Sequence, residues 1–143
     1  HRLEFVTTID GVDYYNDSKA TNVDSVNYAL KSFNRPVIVI LGGKDKDSDF
    51  TLLIPQIREH VKAAVLIGKA ADKIRKALSG VVEMYDAGYY MPNAIEIARN
   101  LAVPGDIVLL SPACASFDMF NDYEHRGRVF KEIVMNLPKD LKV

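Results

Sequence analysis

Three short polar segments hold most of the residues that could do chemistry here. They are Asn16-Asp17-Ser18-Lys19-Ala20-Thr21-Asn22, Gly42-Gly43-Lys44-Asp45-Lys46-Asp47-Ser48-Asp49 and Ser111-Pro112-Ala113-Cys114-Ala115-Ser116. In the first, a lysine stands among hydroxyls, amides and the free backbone N–H groups of an expected helix start, which suits a phosphate or a carboxylate. The same Asp, Ser, Thr and Asn are favoured helix caps, so a capping loop with a solvated lysine is the alternative. In the second, the diglycine allows a sharp turn and close approach of a ligand, with Lys46 in a charge-dense stretch; a solvated turn is the alternative. The third is small and uncharged, fit either to wrap a ligand ahead of a helix or to pack on a sheet. Cys114 has no cation or histidine beside it in sequence to lower its pKa, and reads as a small buried residue rather than a nucleophile.

A polar and aromatic cluster, Asp118, Tyr123, Glu124, His125 and Arg126, follows as a pocket wall or a capping surface. His60 reads as structural at a helix end, and His1 and His125 as neighbours of the site. None of the three has the spacing of a metal ligand set. The stretch Gly42 to Lys46 lacks the second glycine before a Lys-Ser or Lys-Thr pair, so this chain has no phosphate-cradling loop to hold ATP by itself.

These segments need a scaffold, and the apolar pattern supplies one. Leu3 to Ile9 and Val12 to Asn16 flank Asp10-Gly11 and predict an antiparallel hairpin. Val37 to Leu41, Ala63 to Ile67 and Ile107 to Leu110, with Val81 to Tyr85 weaker, read as strands buried on both faces. Helical periodicity links them: Leu53, Ile54, Ile57, Val61; Ala70, Ala71, Ile74, Ala77, Leu78; Ala94, Ile95, Ala98, Leu101. Phe130, Ile133, Val134 and Leu137 make a last helix, ended by Pro138 and the Lys-rich tail. Strand and helix alternate, which predicts an α/β fold: a Rossmann-like, doubly wound, mostly parallel sheet with the hairpin at its edge. Ligands then bind beyond the carboxyl ends of the strands, where all three polar segments should open together.

The composition sets bounds on function. At 143 residues, 48% apolar and 26% charged, the chain is long enough for one cored domain over residues 1–143, and disorder, collagen and coiled coil are excluded. Eighteen Lys and Arg against nineteen Asp and Glu leave a net charge of -1, so no basic field exists to hold a nucleic acid. The longest apolar runs fall far short of the roughly 20 residues that span a bilayer. One cysteine allows no internal disulfide and points to a cytoplasmic setting. The chain opens on His1 and is strand-like from Leu3, and the expectation is a piece of something longer.

Taken together, certain strings resemble a known family. They are His1-Arg2-Leu3-Glu4, Asn16 to Asn22, Leu41-Gly42-Gly43 with Lys46, Asp49 and Phe50, and Leu110 to Ser116 followed by Asp118, Phe120, Glu124, Arg126-Gly127 and Phe130. In this order they are similar to the C-terminal domain of the Mur ligases, and within them to the branch that adds D-glutamate to UDP-N-acetylmuramoyl-L-alanine in peptidoglycan synthesis. The resemblance implies a monomeric cytoplasmic enzyme of three domains that forms an amide with ATP and Mg2+. The central domain, absent here, carries the ATP loop and magnesium ligands; an acyl phosphate forms, and the amine of D-glutamate displaces phosphate. This last domain closes in to present that amine and would be inactive alone.

By position, Thr21, Lys46, Ser116 and the backbone at Phe117 match residues that hold the two D-glutamate carboxylates. Tyr123 stands where a phenylalanine is usual and keeps the aromatic wall. Arg2 and Asp17 match residues that reach the nucleotide, and Lys19 matches one near the transferred phosphate, a catalytic role. Gly43-Lys44-Asp45-Lys46 departs from a more usual Gly-Asp-Gly-Lys. The competing reading is a free-standing, flavodoxin-like module that binds a small anion without catalysis.

Overall fold

The structure, a computed structural model, describes residues 1–138. Two β-favouring runs pair as β1 (Glu4–Ile9) and β2 (Val12–Asn16), antiparallel, around a turn in which Asp10 and Gly11 have φ of 54° and 77°. Both central residues at positive φ are what a two-residue hairpin turn requires. Then come α1 (Val23–Lys31), β3 (Val37–Gly42), a 3-10 turn (Phe50–Leu53), α2 (Ile54–His60), β4 (Val61–Ile67) and α3 (Ala71–Ala77). The chain continues as β5 (Glu83–Asp86), α4 (Met91–Leu101), β6 (Ile107–Leu110) and α5 (Tyr123–Met135).

Six strands form one sheet in the order β1-β2-β6-β3-β4-β5, parallel except for the hairpin. The expected doubly wound sheet with an antiparallel edge is therefore what the chain forms. Every residue of β3 and β6 is buried, as runs covered by helices on both faces must be. Their side chains divide by the strand's period of two. Val37, Val39, Leu41, Leu66 and Leu109 meet α1, the 3-10 turn, α2 and α3 on one face. Ile38, Ile40, Val65, Val108 and Leu110 meet Ala94, Ile95 and Ala98 of α4 and Phe130 and Val134 of α5 on the other.

Several boundaries shift by a residue or two from the sequence reading, Leu137 for one lying beyond α5, and two of the differences are instructive. Val61 continues the Leu53, Ile54, Ile57 periodicity, yet α2 lasts only seven residues and Val61 opens β4, paired with Val37. The strand expected at Val81 to Tyr85 runs instead over Glu83–Asp86, at the sheet edge, where half-exposed residues carry a weak pattern. The Lys-rich tail beyond Pro138 lies outside the described residues.

Register delivers the polar segments. Asn16 pairs with Leu110 and Leu110 with Ile40, so β2, β6 and β3 end level. The segments that follow them emerge side by side at one edge.

Candidate functional site

The loop after β3 is shaped by its diglycine. Gly42 and Gly43 have φ of 131° and 133°, and a Cβ built on them would lie 1.9 Å from the Ile67 carbonyl oxygen and 2.4 Å from the Ala115 carbonyl oxygen. No side chain fits at either position, which is why this turn can press against its neighbours. The loop is then zipped to the one after β6: Lys44 N–H donates to the Ala115 carbonyl at 2.9 Å, and Ala115 N–H donates back to the Lys44 carbonyl at 3.0 Å. The loop after β2 joins as well, with Asp17 N–H donating to the Leu110 carbonyl and Ala113 N–H to that of Ala20.

A cleft of about 210 Å³ opens where these loops meet, lined by Thr21, Asn22, Lys44, Lys46, Ser48 and Ala115. Lys19, Lys44 and Lys46 are exposed and make no ion pair among the described residues. Ser116, the residue after Ala115 of the cleft wall, is 2% exposed, and its Oγ has no hydrogen-bond partner among the described residues. A buried hydroxyl without a partner costs about 1–3 kcal/mol, so it is a position suited to a ligand's acceptor. Phe117 follows with its ring exposed, and its backbone N–H donates to no described group. Asn22 caps α1, its Oδ1 accepting from Ser25 N–H at 2.9 Å, so the first segment is at once a cap and a wall of the cleft.

The other expected residues form a second cluster on the β1–β2 side. Lys19 N–H donates to the His1 carbonyl, and the Tyr123 ring stands edge-on to the His1 ring at 6.0 Å. Tyr123 is thus not among the residues that line the cleft with Thr21 and Lys46. Arg2 is exposed and its charge acts on Asp17. Asp17 itself turns inward: it is 3% exposed, Oδ1 accepts from Leu3 N–H at 3.0 Å and Oδ2 from the Ser111 hydroxyl at 2.7 Å. Burial raises its pKa, opposed by those two hydrogen bonds and by Arg2.

Beneath both clusters lies Arg126, 1% exposed. Its Nε donates to Ser18 Oγ at 2.9 Å, one Nη to the Cys114 carbonyl at 2.9 Å and the other to the Ser18 carbonyl at 2.7 Å, while Ser18 Oγ donates to the Tyr123 carbonyl. Desolvation lowers its pKa to about 10, so it stays charged at neutral pH. This side chain ties the β2 and β6 loops to the start of α5, a role its place in a polar cluster did not disclose. Cys114 is buried, its thiol pushed up to about 12 mainly by desolvation, in keeping with an inert packing residue. His125 accepts from Asn121 N–H through Nδ1, and its own N–H is capped by Asp122. Among the described residues no three His, Cys, Asp or Glu side chains are placed to hold a metal ion, and no helix is long and apolar enough to cross a membrane.

Parallel strands that end level, glycine turns at their carboxyl ends and cations unpaired among the described residues above them define a doubly wound α/β domain with a cationic cleft at that edge. Residues 1–114 match the family described as Mur ligase, glutamate ligase domain, and the chain belongs to that family. It is 51% identical over 142 residues to the UDP-N-acetylmuramoylalanine--D-glutamate ligase of Koribacter versatilis, covering 99% of this chain and 31% of the relative. The enzyme of the same name from Solibacter usitatus is 53% identical over 141 residues, covering 98% and 32%. The chain thus spans about a third of the length of these relatives. A murein peptide ligase from Psychrobacter arcticus shares the fold with a TM-score of 0.63 at 10% identity, over 96% of this chain and 30% of that one.

Proposed function

We propose that this chain is the C-terminal, amino-acid-presenting domain of an ATP-dependent ligase that joins D-glutamate to UDP-N-acetylmuramoyl-L-alanine in the cytoplasm. The observation that carries the reading is the convergence of Lys44, Lys46 and Thr21 around one small cleft, with the unpartnered Ser116 hydroxyl on the residue after its Ala115 wall. A dianionic amino acid needs cations, hydroxyls and free N–H groups from separate directions, and charge-assisted hydrogen bonds of this kind are the strong ones. In this scheme Lys46, Thr21, Ser116 and the Phe117 N–H hold the two carboxylates, and Tyr123 supplies an aromatic wall when the domains close. The match of residues 1–114 to a glutamate ligase domain and the names borne by half-identical relatives support the same substrate.

The second cluster serves the other end of the reaction. The amine nitrogen attacks the activated alanyl carbonyl, the C–N bond forms, the C–O bond to phosphate breaks, and the nitrogen sheds its protons. Lys19 and Arg2 are exposed cations that meet the charge on the departing phosphate. Asp17 contributes by holding Leu3, and with it Arg2, at the nucleotide side. ATP supplies the phosphoryl group and Mg2+ accompanies it on the rest of the enzyme; among the described residues no cluster is placed to carry the ion. Positioning is the main effect, and orienting the amine beside its target can remove on the order of 7 kcal/mol of barrier.

The test is a kinetic split in the intact enzyme. Lys46→Ala or Ser116→Ala raises the KM for D-glutamate by about tenfold to a hundredfold, the loss of one charge-assisted contact, and leaves the KM for ATP within about twofold. Equal effects on both substrates would overturn the assignment.

A further inference from the structure

The loop that carries Lys44 and Lys46 is held from outside the cleft. Lys73 of α3 donates through Nζ to Asp45 Oδ2, and the same ammonium lies 5.5 Å from the centroid of the Phe50 ring, which is buried at the foot of the loop. The Asp45 carboxylate also accepts the Ser48 N–H, at 3.0 and 3.3 Å, closing the turn in which Asp47 takes a φ of 57°. The Asp45 side chain is 12% exposed, while Lys44 and Lys46 on either side of it are both exposed and both line the cleft. Lys44 is fixed in turn by its paired hydrogen bonds with Ala115. Pinning the middle residue to α3 thus turns its two cationic neighbours the other way, and the anion between them offsets their mutual repulsion.

We propose that Asp45 and Lys73 are positioning residues for the carboxylate site, bracing the loop after β3 so that Lys44 and Lys46 present two cations to one dicarboxylate. This rests on the reading of the cleft as the D-glutamate site and adds Lys44 to the residues that grip it. Neither Asp45 nor Lys73 lines the cleft, so both act through the loop.

Charge alone and bracing predict opposite signs, which makes the test sharp. Removing the negative charge of Asp45 beside a dianionic substrate should tighten binding if only charge matters; removing a brace should weaken it. In the intact enzyme, Asp45→Asn is expected to raise the KM for D-glutamate by about tenfold, with kcat and the KM for ATP changed by less than about twofold. Lys73→Met does the same, Lys73→Arg restores the parent value, and the exchanged pair Asp45→Lys with Lys73→Asp recovers part of the loss. Hydrogen exchange of the Ser48 amide gives an independent readout and speeds up in Asp45→Asn. An unchanged or lower KM in Asp45→Asn, while Lys46→Ala still raises it, overturns the brace and leaves the site reading standing. Faster Ser48 exchange with no change in KM for Asp45→Asn or Lys46→Ala overturns the proposal the other way, because the loop is then braced but the cleft is not the D-glutamate site.

Discussion

The two ends of the parallel strands treat charge in opposite ways. At their amino ends, Arg35 donates to Asp13 at 2.7 Å and to the Gly105 carbonyl at 2.7 Å, and Lys62 meets the buried Asp106 at 2.5 Å. There each cation has its anion and the arrangement ties β2, β3, β4 and β6 together. At the carboxyl ends Lys19, Lys44 and Lys46 stand unpaired among the described residues, a serine hydroxyl there is buried without a partner, and an arginine is buried against two carbonyls and the Ser18 hydroxyl. One end pairs its cations within the fold, whereas the other leaves three lysines unpaired among the described residues, as the proposed ligand site requires. Substitutions at the two ends should therefore separate stability from substrate binding.

The largest effect is expected at Arg126, which belongs to the carboxyl end but works as framework. Arg126→Ala leaves two carbonyls and the Ser18 hydroxyl without their donor and opens a large cavity, a loss of about 3–5 kcal/mol. Thermal unfolding should show a Tm lower by roughly 10 °C or more. Lys19→Ala comes next and is a change of function. It should lower kcat of the intact enzyme by about a hundredfold, as loss of one group facing developing charge does, while thermal unfolding of the variant matches the parent.

Asp17 sharpens the comparison because its chemistry is that of a buried hydrogen-bond acceptor. Asp17→Asn can keep the bond from Leu3 N–H and reverse the one with Ser111, for a cost under about 1 kcal/mol, whereas Asp17→Ala orphans both donors and costs about 2–3 kcal/mol. Denaturant unfolding distinguishes them. The smallest effect lies at the amino end: Arg35→Ala removes a half-exposed pair worth about 1 kcal/mol or less and leaves the KM for D-glutamate unchanged.

These two aspartates also carry opposite pH signatures. Hydrogen bonds from Thr8 and Arg35 hold the Asp13 carboxyl below its ordinary 3.8, so its stabilisation is complete above 3.8 and is lost as pH falls through the lower folded value. Burial holds Asp17 above 3.8, so the fold favours its protonated form and stability falls as pH rises from 3.8 through the raised value. Measured from pH 3 to 7, Asp17→Asn should gain on the parent as pH rises, and Asp13→Asn should lose.

Much of this plan was legible in the sequence, for a physical reason. Buried strands such as Val37 to Leu41 and loops built from Gly, Lys, Ser and Asn announce themselves through local composition, and the order of strand, polar loop and helix puts those loops at one edge. What stayed hidden depends on partners distant in sequence. Arg126 looks like any polar helix residue until Ser18 and Cys114 are seen against it, and Lys73 like a solvated lysine until Asp45 is. Asp17 matches, by resemblance, a residue that reaches the nucleotide, and what the sequence did not disclose is that its carboxylate also accepts from Leu3 and Ser111. Val61 reads as helical because the spacing of apolar residues carries on across a helix end that only the pairing with Val37 enforces.

The central claim is that the unpaired end of the sheet is a D-glutamate site already shaped within this domain. An amide NMR titration of the chain with D-glutamate, L-glutamate and magnesium ADP in turn tests it most directly. The account predicts shifts that favour the D enantiomer and fall on Thr21, Lys44, Lys46, Ser116 and Phe117, with Asp13, Arg35 and Lys62 unmoved. Shifts at the amino end, or none in the cleft at D-glutamate concentrations that saturate the intact enzyme, would contradict it.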